Sequence, residues 1–210
     1  MAEMSMNKAI HGAVRRDLQR FLVALAAFPD GNRTRAAQLA TAWTNFNDQL
    51  TRHHEGEHEI AWPALEAVGA SPELLATMDA EHDLMATALA DAGGAMSRLA
   101  ASASAEDAQL AKAAVTHLQE VTTTHLDHEE VEFEPVLLAN RNAPEIQEMG
   151  RKFGKASPSV GGRFMAWVLD GASADERAAV TRDIPAPVVK IVGGIWGRSY
   201  RKNIAPVWKG

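Results

Sequence analysis

The chain has 210 residues and a formal net charge of −6, from 21 basic and 27 acidic side chains. It contains no cysteine, which excludes disulfides, thiolate metal sites and cysteine nucleophiles. The composition is that of a globular protein, no apolar run is long enough to span a bilayer, and the polar start shows no signal-peptide pattern. A soluble, cytoplasmic protein is therefore expected.

Four long segments are separated by short stretches rich in proline, glycine and polar residues, and they cover about residues 7–28, 33–67, 72–100 and 106–139. In each segment, apolar residues recur at alternating spacings of four and three, which is typical of helices in a bundle. Alanine is abundant and also favours helix over sheet. We predict an all-α fold, an up-down-up-down four-helix bundle.

The C-terminal part differs in charge, because residues 1–150 have a net charge of −13 and residues 151–210 a net charge of +7. Prolines and glycines divide it into short pieces. Ser173 is a candidate helix cap, and the apolar spacing over residues 188–196 predicts a helix. We predict a bundle domain over 1–150 and a helical extension over 151–210 packed on it. The extension's apolar side chains need a surface to cover, namely Phe164, Trp167, Val188, Ile191, Ile195 and Trp196.

The seam of each segment, meaning the line of residues that faces the bundle core, contains one histidine. Two seams add a glutamate four residues later, on the same helical face. The candidate metal ligands are His11, His53, Glu57, His82, His125 and Glu129. One such histidine, or one such pair, is more often structural. Four histidines and two glutamates together indicate a dinuclear metal site, since buried carboxylates are costly unless they are paired or bound to metal.

The second and fourth segments share one spacing pattern, in which a histidine lies ten residues and a glutamate six residues before a proline. The matching residues are His53, Glu57 and Pro63 in one segment and His125, Glu129 and Pro135 in the other. The shared pattern supports both histidine–glutamate pairs as ligands. Beyond Glu57, the predicted seam continues through Ile60 and Ala64.

Three further histidines are alternates. His54 and His58 form a second pair at helical spacing, rotated by about one residue from the seam, and would replace or supplement His53 and Glu57 if the helix were rotated. His128 stands in a comparable relation to the fourth segment. The preferred interpretation places all three outside the ligand set, as neighbours of the ligands or at an interface. We therefore expect His53 and Glu57 to matter more for metal binding than His54 and His58.

The order H, HxxxE, H, HxxxE over roughly residues 7–139 resembles the hemerythrin-like (HHE cation-binding) family, and the C-terminal extension resembles those of actinobacterial members. The resemblance implies a four-helix bundle around a non-haem di-iron site, with two iron ions joined by an oxo or hydroxo bridge. It also implies the ligand roles: Glu57 and Glu129 bridge the irons, His11 and His53 bind one iron, and His82 and His125 bind the other.

The sequence departs from the oxygen carriers of that family, which have HxxxH on the third helix and HxxxxD on the fourth. Here Ala86 stands where the third helix would carry its second histidine, and Glu129 lies at the shorter spacing. We therefore expect one iron to have fewer histidines and an open coordination position, and we expect poor reversible oxygen transport.

Two functions follow from this interpretation. One is an enzyme with peroxidase-like or catalase-like activity, which reduces or disproportionates a small oxidant such as hydrogen peroxide or nitric oxide species. The other is a non-catalytic sensor or store for oxygen, nitric oxide or iron. A third, weaker alternative is that the basic extension binds nucleic acid or anionic lipid through its Lys, Arg and Trp side chains. Docking of the extension on the acidic bundle is preferred, so we expect no nucleic-acid partner and no membrane partner. The sequence leaves the oligomeric state open.

Overall fold

A computed structural model describes residues 4–209, and in this range every regular element is helical. The bundle is built from α1 (Met6–Ala26), α2 (Arg33–Gly56) with a π-helical segment (Glu57–Ala61) and α3 (Trp62–Ala67), α4 (Pro72–Ser102) and α5 (Ala105–Ala139). The C-terminal part contains α6 (Pro144–Phe153), α7 (Pro158–Val168), α8 (Ala174–Asp183), α9 (Ala186–Trp196), α10 (Arg198–Asn203) and a 3-10 turn (Ala205–Lys209). The all-α prediction is confirmed.

Contacts along α1 and α5 show that these helices run in opposite directions. Ser5 donates to Glu134 at one end, and Arg15 pairs with Asp127 further along, so residue numbers rise on one helix as they fall on the other. The other bundle helices are joined by loops of a few residues, which require antiparallel neighbours. The arrangement fits the predicted up-down-up-down order.

Polar side chains cap the helices where the sequence breaks. Ser5, Asn32, Ser71, Ser104 and Ser173 each accept a hydrogen bond from a backbone N–H in the first turn of the following helix. Such caps satisfy N–H groups that have no partner inside the helix. The predicted break positions therefore correspond closely to the observed helix starts.

The second segment is not one regular helix. From Glu57 to Ala61 the backbone is π-helical, and the Trp62 N–H donates to the Glu57 carbonyl, five residues back. Pro63 follows at once. A proline inside a helix has no N–H, and its ring crowds the carbonyl four residues earlier, which favours a wider turn at this point.

The π-helical segment changes which residues face the core, because a π turn inserts one extra residue. After Glu57, the buried positions are Ala61, Trp62 and Leu65, while Ile60 and Ala64 stay partly exposed. The seam predicted through Ile60 and Ala64 is therefore wrong by one residue beyond Glu57.

Buried hydrogen bonds attach the C-terminal helices to α1. Asp17, buried in α1, accepts from Trp167 Nε1 at 2.8 Å and from Arg20 at 3.0 Å. Asp170 accepts from the same arginine at 3.1 Å and from the Tyr200 hydroxyl at 3.0 Å. These directional contacts fix the position of α7 on the bundle. The domain boundary at residue 150 falls inside α6 and stays a prediction.

The apolar residues of the extension are only partly covered. Trp167 is buried and Phe164 packs against the core. Four apolar side chains of α9 remain 41 to 57 % exposed, namely Val188, Ile191, Ile195 and Trp196. These four side chains are thus only partly covered, while other residues of the extension join the core of the bundle, and the packing of the whole extension on the bundle stays a prediction. Among the described helices, none combines the length and apolarity that crossing a membrane requires.

Candidate metal centre

Seven polar side chains from four helical segments converge inside the bundle. They form two groups that share Glu57, and within each group the potential ligand atoms lie within 4.8 Å of one another. The first group contains His11, His53, Glu57 and Glu129, and the second contains His54, Glu57, His82 and His125. Every one of the six residues predicted as ligands is present in the cluster.

The carboxylate of Glu57 lies between the two groups. Its Oε1 is 3.1 Å from His53 Nε2, and its Oε2 is 3.4 Å from His82 Nε2. Each oxygen thus faces a histidine of a different group. A carboxylate with this arrangement is suited to bridging two metal ions.

Glu129 occupies a similar position from the other side. Its Oε2 lies 3.2 Å from His11 Nε2 in the first group and 3.8 Å from His125 Nε2 in the second. Asn7 donates from Nδ2 to the other oxygen of Glu129 at 2.8 Å and so fixes the orientation of the carboxylate.

The cluster contains buried polar atoms that have no hydrogen-bond partner among the described residues. These atoms are Nε2 of His11, His53 and His54, both carboxylate oxygens of Glu57, and Oε2 of Glu129. Buried polar groups almost always have a partner, because an unsatisfied one costs free energy. Metal ions would satisfy all of these atoms at once. The set of imidazole nitrogens and carboxylate oxygens fits iron, and it fits zinc as well.

The family model of the hemerythrin HHE cation binding domain matches residues 5–137. The chain belongs to this family. Comparison with curated proteins and with solved structures finds no match. The matched range contains all seven cluster residues of the hemerythrin domain and ends just before the last residues of α5.

Burial prepares three histidines of the hemerythrin domain to bind metal, whereas contacts with Glu129 and Glu130 outweigh burial at His11 and raise its pKa. Burial lowers the pKa of His53 and of His54 well below the usual value, and neighbouring histidines lower both further. Burial also lowers the pKa of His82 to about 4. These imidazoles are therefore neutral near pH 7, which is the form that coordinates metal. Burial and the nearby Glu129 raise the pKa of Glu57, as expected for two carboxylates that lack a compensating cation.

His54, an alternate in the sequence interpretation, lies inside the cluster. Its ring stacks on His82 with 4.3 Å between ring centroids, and its Nε2 is buried beside Glu57 and His125. Its position makes it a candidate ligand beside the six predicted residues, and the choice between the two sets stays a prediction. Its spacing of three residues before Glu57 is the signal that could have identified it, since residues three apart share a helical face.

The other two alternates lie outside the cluster. His58 is mostly exposed, and its Nδ1 is 3.1 Å from Asp79. His128 is about one-third exposed, and its Nδ1 is 2.8 Å from Glu81. The preferred interpretation of these two histidines as neighbours of the site agrees with their positions.

The sequence interpretation missed two carboxylates that contact cluster histidines. Each lies at Nδ1, the ring nitrogen that points away from the cluster. His125 Nδ1 lies 2.9 Å from Glu81, and His11 Nδ1 lies 3.1 Å from Glu130. An imidazole that donates from Nδ1 to a carboxylate presents the lone pair of Nε2 to a metal. Both glutamates are direct sequence neighbours of seam ligands, but only the packing of α1, α4 and α5 brings them onto these rings.

Ala86 does not mark a gap in the site. It is exposed on α4, so a longer side chain there would meet solvent first. His54 instead provides a third histidine to the group that contains His82 and His125. The expected shortage of histidines on this side is not found, and the group with only two histidines is the one around His11 and His53.

Proposed function

We propose that this hemerythrin domain holds two iron ions, bridged by Glu57 and Glu129, and reduces a small oxidant such as hydrogen peroxide in the cytoplasm. The observation that carries the proposal is the position of Glu57, whose two oxygens face histidines of different ligand groups. A single metal ion would need only one of these groups. The family description supports cation binding, while the identity and number of the ions are part of the proposal.

The two groups offer different numbers of donors. With both glutamates shared, one ion has His54, His82 and His125 as its histidines, and the other has only His11 and His53. The side of His11 and His53 offers fewer protein donors, so an ion held there would be the one open to an oxidant. The sequence interpretation placed the open coordination position near Ala86, on the side of His82. We place it instead on the side of His11 and His53.

Two iron ions that change between ferrous and ferric forms supply the two electrons that reduce a peroxide to water. The chain's own residues exclude bulk water, since His11, Glu57, His125 and Glu129 are all buried. A chain of hydrogen bonds runs from His128, which is partly exposed, through Glu81 to Nδ1 of His125. These contacts hold Nδ1 of His125 and so orient its Nε2 towards the centre.

The alternative function is binding without turnover, as a sensor or store for oxygen, nitric oxide or iron. The burial of the ligand groups favours it, because a closed centre admits diatomic molecules more readily than larger substrates. The two functions differ in whether an added oxidant is consumed.

The deciding experiment uses full-length protein expressed with added iron. We expect two irons per chain by elemental analysis, an optical spectrum that changes on addition of peroxide, and peroxide loss with an added reductant. His125→Ala should abolish the loss, whereas His117→Ala, at an exposed position of the same helix, should not.

Three outcomes would change the proposal. One iron or none in a folded protein would refute the dinuclear centre. Zinc in place of iron, after loading with both metals, would refute the redox function. A stable oxygen or nitric oxide adduct that releases its ligand, without peroxide loss, would favour the binding function.

A further inference from the structure

Helix α9 is apolar on nearly all sides yet lies in the outer layer of the molecule. Lys190 is its one charged residue. On its inner face α9 packs closely on α7, since a Cβ added to Gly162 would lie 2.7 Å from the Val192 carbonyl oxygen. A helix that is apolar all round is normally buried. The opposite face of α9 therefore lacks a partner within the part of the chain that is described.

The outer face of α9 presents a continuous apolar stripe. Val188, Ile191 and Ile195 are spaced by three and four residues, so they lie on one side of the helix. Trp196 starts from the side that packs on Gly162 of α7, and its side chain is partly exposed beside the end of the stripe. Each of the four is at least 41 % exposed. An exposed apolar patch with a polar rim is typical of an interaction site.

The segment that contains the stripe is basic from residue 184 onward. Residues 184–209 contain five cationic side chains and no acidic one, and all five are exposed, namely Lys190, Arg198, Arg201, Lys202 and Lys209. Residues 1–150, by contrast, have a net charge of −13. The apolar stripe and the positive charge thus belong to the same segment, on a molecule that is otherwise acidic.

We propose that α9 docks the protein on an anionic membrane surface, with Ile191 and Ile195 at the boundary between headgroups and acyl chains and the exposed cations of residues 184–209 on the lipid headgroups. Trp196 suits this boundary, because its ring is apolar and its N–H is polar. The acidic bundle faces away, since an anionic surface repels it. This proposal does not depend on the function of the metal centre.

Charge and chemistry disfavour two other partners. A pair of copies joined through α9 would bring together two segments that each have five exposed cations and no acidic side chain. A nucleic acid would accept the cations, but its phosphate backbone offers no apolar surface for the isoleucines. An anionic bilayer matches both the charge and the apolar stripe.

The test is co-flotation of the full-length protein with vesicles. We expect binding to phosphatidylcholine vesicles that contain roughly one third phosphatidylglycerol, weaker binding at high salt, and none to vesicles of phosphatidylcholine alone. The double variant Ile191→Glu/Ile195→Glu should reduce binding about tenfold or more, because it places charges in the stripe.

A matched control separates the stripe from the change in net charge. Val23→Glu/Leu110→Glu adds the same charge at bundle positions that are 59 and 50 % exposed, and it should keep the binding. Circular dichroism and metal content confirm that both variants fold. An equal loss in both variants, or no binding of the unmodified chain to anionic vesicles, would overturn the proposal. So would a dimer that only Ile191→Glu/Ile195→Glu dissociates, since the stripe would then join two copies.

Discussion

Residues 53–63 and 125–135 have the same spacing of histidine, glutamate and proline but fold differently. The first region leaves the α-helix at Glu57 and forms a π-helical segment before Pro63. The second continues as one α-helix through Pro135. Both place their histidine and glutamate in the cluster. The shared spacing thus predicts that one histidine and one glutamate of each helix reach the cluster. It does not predict the backbone conformation beyond them.

The residues between the shared positions make the two regions unequal. His54 in the first region corresponds to Leu126 in the second, so one helix adds a third histidine to the cluster while the other adds an apolar core residue. His58 corresponds to Glu130, so an exposed histidine on one side matches a carboxylate behind His11 on the other. The metal centre is therefore less symmetric than the repeated spacing suggests.

The largest expected effect comes from removing the glutamate of each region. Both glutamates are proposed to bridge, but each oxygen of Glu57 faces a different group, whereas Glu129 lies closer to His11 than to His125. Glu57→Ala should therefore lose both irons, while Glu129→Ala keeps about one. Elemental analysis of iron per chain measures the difference. Glu59→Ala and Glu132→Ala, at exposed positions nearby, should keep both irons. The opposite order, with more iron left in Glu57→Ala, would make Glu129 the main bridging residue.

The second prediction makes the first region resemble the second. His54→Leu reproduces the residue at position 126. It should reduce the iron content from two per chain to about one, because its group then keeps three candidate ligands, Glu57, His82 and His125, against four in the group around His11. His128→Leu should leave the iron content unchanged, since that ring lies outside the cluster. Full iron loading of His54→Leu would show that the stacked ring supports His82 without binding metal.

Much of this comparison could be predicted from the sequence, because seam spacing reports which residues face the core of a bundle. All six predicted ligands converge, and the helix caps lie where the breaks predict them. The π-helical segment could not be predicted from spacing alone. It arises where Pro63 lies inside a continuous helix, yet Pro135 sits in a comparable position without one.

The missed residues share a physical reason. Glu81 and Glu130 act on histidines of other helices, so their role depends on how the helices pack and not on spacing within one helix. The stripe on α9 was expected to cover the bundle. The structure covers α1 with α7 and α8 instead, and it leaves the outer face of α9 exposed.

The third prediction concerns Glu81, which contacts His125 and His128 of the second region and has no described counterpart behind His53 or His54. Glu81→Gln keeps the shape but can accept from only one imidazole through its oxygen. We expect iron affinity to fall by about 10-fold to 100-fold in competition with a chelator, with a changed optical spectrum. Asp83→Asn, an exposed position on the same helix, should change neither. An unaltered affinity would mean that His125 keeps its orientation without the carboxylate.

The smallest expected effect distinguishes Glu130 from His58, the matching positions of the two regions. Burial raises the pKa of Glu130, but the contacts with His11 and Arg15 outweigh burial and lower it to about 2. The folded state therefore favours the ionised carboxylate. The ionised form stabilises the fold at pH values above the ordinary pKa of glutamate. That contribution is lost as the pH falls towards about 2.

In metal-free protein, Glu130→Gln should lower the free energy of unfolding by about 1–2 kcal/mol near neutral pH, and the difference from the unmodified chain should shrink below about pH 4. Urea unfolding at several pH values measures it. His58→Gln should have almost no effect, because the pair of His58 and Asp79 is exposed and water screens it. If Glu130→Gln lowers the free energy of unfolding by the same amount at every pH, the side chain acts through packing. Its charge would then not distinguish the two regions.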